Sequence, residues 1–126
     1  MPGFSISNEA RASIPRASFR VMKEAALGKK YRLNLVFTTP AHIKSLNLMY
    51  RNIAKPTDIL SFPISKSEGE IYICLGEARK AAKDFDRSYE NFILFLFIHG
   101  CVHLKGYDHS ATMERIETGL RKRFKV

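Results

Sequence analysis

The segment YENFILFLFIHGCVHL, from Tyr89 to Leu104, constrains the fold more than any other part of the chain. Its run FILFLFI is apolar on nearly every side of a helix, so as a helix it has no face to offer water. Such a helix belongs at the centre of the molecule, with other elements packed around it. The apolar run from Phe92 to Ile98 is far shorter than the roughly 20 residues that cross a bilayer, so the burial has to come from the protein itself.

The rest of the chain has to supply that cover. Phe and Ile alternate with small polar residues from Phe4 to Ser7, which predicts a short strand. A helix is expected from about Pro15 to Leu27, with Pro15 in its first turn and Gly28 as its stop. YRLNLVFTT, from Tyr31, reads as a strand ended by Pro40. A second helix follows over Pro40–Arg51, capped by Thr39, with Ile43, Leu46 and Tyr50 turned inward. Ile59–Phe62 is a short strand closed by Pro63, ISKSEG a polar turn, and EIYICL from Glu70 the next strand. Gly76 opens a helix through EARKAAKDF, DRSYE breaks it, and ATMERIETGLRKRF forms a helix after the central one. The class is α+β: a small mixed sheet of about four strands covered by helices, with the central buried helix carrying the histidines. At 126 residues the expectation is one domain, spanning 1–126.

The 45% apolar and 26% charged content is that of an ordinary folded protein rather than a disordered one. No leader-like segment opens the chain, so a soluble cytoplasmic protein with no membrane partner is expected. Cys74 and Cys101 then read as free thiols. The net charge is +9, and Arg11 to Arg32 holds seven basic residues against the single acid Glu24. Any one basic cluster can be a solvated face, but the excess as a whole favours a polyanionic partner, because cations collect phosphate backbones through counterion release.

Three of the four histidines lie in FIHGCVHLKGYDHS. His99 and His103 are four apart, so at about 3.6 residues per turn they share one helix face. Gly106 suits a left-handed turn that ends the helix and brings His109 back towards the same point. Three imidazoles leave the fourth position of a tetrahedral zinc site open, which is the arrangement of a catalytic site. Cys101 is rotated by roughly 200° from each neighbouring histidine and reads as core. Asp108 either orients a ligand imidazole or is a solvated turn residue. The histidine register is that of a metalloprotease helix, yet Gly100 stands where a protease keeps its glutamate base. Peptide hydrolysis benefits from such a base, whereas phosphodiester cleavage can rest on positioning and on cations around the phosphoryl oxygens.

The second informative stretch is LNLMYRNIAKPTDILSFP, Leu46 to Pro63, which offers Arg51, Lys55, Asp58 and Ser61. Arg51 suits bidentate phosphate contact, or else pairs with a carboxylate such as Asp58. Taken together, this stretch and HGCVHLKGYDH resemble the YbeY family of metal-dependent, single-strand-specific endoribonucleases. The family patterns are LNxxYRxxxxPTDVLSFP and HGxLHLxGYDH, here with Ile59 for the valine and Val102 for the leucine. The matching layout runs from the Tyr31 strand onward. The resemblance implies an α+β fold with its site in a cleft beside the sheet. It implies one zinc ion on His99, His103 and His109, catalytic roles for Arg51 and His103, and RNA contacts from Arg51 and Lys55. It also implies single-stranded ribosomal RNA as substrate, the small ribosomal subunit as partner, maturation of the small-subunit RNA 3′ end, and ribosome quality control. The family's usual GDI step reads Gly69-Glu70-Ile71 here, so no role carries over to Glu70. Two other readings compete: a metal-dependent hydrolase of a different substrate such as a peptide, and a non-catalytic ribosome-associated RNA-binding protein with a structural zinc.

Overall fold

A computed structural model describes residues 3–106 and 110–126. The chain runs β1 (Phe4–Asn8), α1 (Phe19–Leu27), β2 (Arg32–Thr38), α2 (Pro40–Arg51), β3 (Ile59–Ser65), β4 (Glu68–Cys74), α3 (Leu75–Ala82), a 3₁₀ turn at Lys83–Phe85, α4 (Tyr89–Leu104) and α5 (Ala111–Phe124). The strands form one mixed sheet in the order β1-β2-β4-β3. β1 and β4 flank β2 in parallel, and β3 pairs antiparallel with β4 at the sheet's edge. The α+β reading holds.

Alternation along the strands sorts their side chains onto two faces. Leu33, Leu35, Phe37, Ile71 and Ile73 meet residues of α1, α3, α4 and α5 in the main core. The opposite face carries a smaller cluster under α2, made by Ile43, Leu60 and Cys74. α4 lies where its composition demands: Phe92, Ile93, Phe97 and Cys101 have no exposed surface. Ser88 caps it by accepting from the Asn91 amide, and Gly106 follows it at φ +107°. That φ is in the left-handed region, as the turn beyond the helix requires. Burial pushes the Cys101 thiol well above its ordinary pKa, so this cysteine is core packing rather than a ligand.

Several boundaries differ from expectation for identifiable reasons. α1 starts at Phe19, not Pro15. Its buried stripe is Phe19, Met22, Lys23 and Leu27, and the exposed Arg16–Ser18 has nothing to bury against it. β3 continues through Pro63 to Ser65. An edge strand tolerates proline because its outward amide needs no partner, and the pairing shifts register between Pro63 and Ser65. β4 consequently begins at Glu68, so the expected polar turn is largely strand. Tyr50 is 62% exposed rather than inward, and the buried residues of α2 are Ile43 and Asn47. Asn47 Nδ2 donates to the Lys55 carbonyl at 2.9 Å and holds the loop between α2 and β3 against the helix. Lys23, counted with the basic stretch, is buried, and its ammonium donates to the Lys29 carbonyl at 3.2 Å. Among the described residues no helix is long and apolar enough to cross a membrane.

Candidate active site

The sheet's edge, the last turn of α2 and the C-terminal half of α4 enclose a cleft of about 630 Å³. Tyr50 and Arg51 enter it from α2, Thr57 to Phe62 from β3 and the loop before it, and His99 and His103 from α4. Both histidines are half-buried, one helical turn apart. Arg51 is exposed at the end of α2, where a cation also complements the helix dipole.

His99 is held from behind. Its Nδ1 lies 2.8 Å from Oε1 of Glu117, a carboxylate of α5 that is only 8% exposed. An ionised carboxylate only accepts, so Nδ1–H donates and the ring presents Nε2 on its opposite edge. The Arg121 guanidinium places a cation near the same oxygen, its Nη1 3.8 Å away. Glu117 was missed in the sequence, although a signal exists: it lies one turn after Met113, inside the buried stripe of an otherwise charged helix. A carboxylate in such a stripe needs a buried partner.

Gly100 has a structural explanation. A Cβ there would come within 3.0 Å of Ile71 Cδ1 and Ser61 Oγ and 3.1 Å of Ile59 Cδ1. The position that carries the base in a protease helix is therefore where α4 sits flush on β3 and β4. Gly100 itself is not among the residues that line the cleft. Gly69 is a second close approach, since a Cβ there would lie 2.5 Å from the Tyr31 hydroxyl. Glu70, next to it, lies outside the cleft and faces Asn34 and Tyr72 at 3.5 Å each.

Among the described residues, Asp58 is the one acidic residue that lines the cleft. Burial pushes its carboxyl above the ordinary value, against the pull of the Asp58 and Ile59 amides, the Thr57 hydroxyl and the nearby His99. It forms no ion pair with Arg51; among the described residues the guanidinium has no carboxylate within 4 Å. Ser61 lines the same wall. Lys55, expected to contact RNA beside Arg51, is exposed on the loop and does not line the cleft. His109, expected as third ligand, and Asp108, expected as its support, lie outside the described residues. Among the described residues no group of three or more His, Cys, Asp or Glu side chains is arranged to hold a metal.

The donor chemistry that is described fits zinc. Two imidazoles one turn apart line one cleft, and the first is oriented by a buried carboxylate, the usual outer support of a metal-bound histidine.

Residues 4–123 match the family model described as endoribonuclease YbeY. The chain belongs to the YbeY family. The endoribonuclease YbeY of Pelotomaculum thermopropionicum is 34% identical over 113 residues, which cover 81% of this chain and 74% of that protein. The endoribonuclease YbeY of Acholeplasma laidlawii is 39% identical over 89 residues, 68% of this chain and 65% of the relative. The solution structure of TM1509 from Thermotoga maritima superposes with a TM-score of 0.69 at 27% identity, over 97% of this chain and 91% of that one. The family's matched span thus takes in β1 and α1, where no motif stands out in the sequence.

Proposed function

We propose that this chain is a zinc-dependent endoribonuclease that cuts single-stranded ribosomal RNA. The reading is supported by YbeY membership, and above all by one juxtaposition: the Glu117-oriented His99, with His103, shares a cleft with the exposed Arg51 guanidinium. The metal would be held by His99 and His103, with His109 as the expected third ligand. A bound zinc would supply Lewis-acid stabilisation of charge on a phosphate oxygen. Glu117 keeps the His99 proton on Nδ1, so that Nε2 is the nitrogen offered to the metal. Arg51 has a planar guanidinium fork that suits two phosphoryl oxygens at once. It holds the scissile phosphate and offsets the charge that grows as the bond breaks. Gly100 leaves the helix without the protease base, which argues against peptide hydrolysis.

The natural setting we infer is the cytoplasm, with the small ribosomal subunit as partner, maturation of the small-subunit RNA 3′ end as the task, and ribosome quality control as a second one. The charge of +9 supports a polyanionic partner of this kind.

The test is cleavage of a labelled single-stranded RNA by zinc-loaded wild type, Arg51→Ala and His103→Ala. Arg51→Ala is expected to lose roughly 10²–10³-fold in rate, as when one donor to a developing oxyanion is removed. His103→Ala is expected to lose bound zinc and activity together. Equal cleavage by all three proteins would point to a contaminant and end the proposal.

A further inference from the structure

The last turn of α2 breaks the usual rule for a surface helix. Leu48, Met49 and Tyr50 are 49%, 72% and 62% exposed, and Ile53 just beyond is 38% exposed. Single exposed apolar residues need no explanation, but a contiguous group beside a cleft marks a binding surface. The aromatic member of the group is backed by others. The Tyr50 ring lies 5.0 Å from Phe62, Phe62 lies 5.8 Å from Tyr72, and Tyr72 lies 5.9 Å from His42. Phe62 and Tyr72 are partly buried against the small core under α2, so this support is fixed by packing. Tyr50 is the outermost ring of the series, and both it and Phe62 line the cleft that holds His99 and His103.

We infer that the Tyr50–Phe62 pair is a stacking subsite for an unpaired nucleobase of the RNA whose phosphate Arg51 holds. The inference rests on the endoribonuclease reading and deepens it. Three observations select this occupant. The rings are continuous with the cleft rather than remote from it. The cleft's exposed arginine, Arg51, lines it together with Tyr50, so one cleft offers a flat π-face and a phosphate-binding cation, the pairing that single-strand binders use. A base held in a duplex has both faces covered by its neighbours, so a single exposed ring selects unpaired RNA. Single-strand preference thus acquires a structural source separate from the metal.

The experiment uses the full chain treated with chelator, so that binding is read without cleavage. Anisotropy of a labelled single-stranded RNA should show Tyr50→Ala weaker than wild type by roughly five- to tenfold, the low end for loss of one stacked base, while Tyr50→Trp stays within about twofold. Phe62→Leu should weaken binding in the same direction, and Tyr50→Ala should not alter binding of a duplex of the same sequence. Tyr50 is exposed, so its removal leaves the core intact, and circular dichroism checks this. Binding of single-stranded RNA by Tyr50→Ala equal to wild type overturns the inference, as does equal weakening for single strand and duplex. So does unchanged RNA binding with lost binding to purified small ribosomal subunits, which would make the patch a protein dock. The two readings separate cleanly. If zinc-loaded wild type cuts RNA and Tyr50→Ala binds normally, only the stacking subsite falls. If wild type cuts nothing while Tyr50→Ala binds RNA more weakly, the subsite stands and the nuclease reading falls.

Discussion

Glu117 shows how much a single side chain can decide without touching substrate. Its carboxylate accepts a hydrogen bond from Nδ1–H of His99 from behind and so selects the tautomer and the ring orientation. Glu117→Ala is expected to lower zinc affinity about 10–100-fold, and Glu117→Gln less, because its amide oxygen still accepts from the ring. Competition against a chromogenic chelator measures both, and an affinity equal to wild type would leave Glu117 a role in packing only. The motif residues were legible in the sequence: Arg51, His99 and His103 all line the cleft. Glu117 was not, because its partner lies eighteen positions away on another helix and the pairing exists only once α5 docks on α4. Lys55, four residues after Arg51, does not line the cleft, because Asn52 takes a left-handed φ of 58° and ends the helix between them.

α4 illustrates how an element's composition and its seating are separate matters. Its uniform apolarity predicted both its bounds and its burial, and both are observed. What the pattern could not tell is where the helix comes closest to the sheet. Gly100 and Gly119 make the contrast. A glycine inside a helix ordinarily costs about 0.5–1 kcal/mol relative to alanine. Gly119 in α5 has open space around its missing Cβ, so Gly119→Ala should stabilise the protein by about that amount. At Gly100 the space is filled by Ile71, Ser61 and Ile59, so Gly100→Glu should destabilise by about 1–3 kcal/mol or more. Thermal melts of the two variants should shift in opposite directions; parallel shifts would refute the close seating of α4. The strand boundaries were harder to read than the helices. Pro63 signals a strand end only for a strand with neighbours on both sides, and β3 has one.

For the molecule as a whole, the charge of +9 matters more to the partner than to the fold. Affinity for single-stranded RNA should fall as a straight line in a plot of log K against log salt, with a slope of about −0.7 per phosphate neutralised. Arg51→Ala should flatten that slope by roughly one such contact. Titrations at increasing salt test this, and an affinity indifferent to salt would show that the basic excess does not face the RNA. The position of the cleft follows from the strand order. β3 is the terminal strand, with β4 on one side only, and it forms one wall of the cleft. A trough along the rim of a sheet can receive a long polymer broadside, so that neither terminus of the strand has to be threaded through. Cutting in the middle of a chain, rather than nibbling from its end, is what that shape permits.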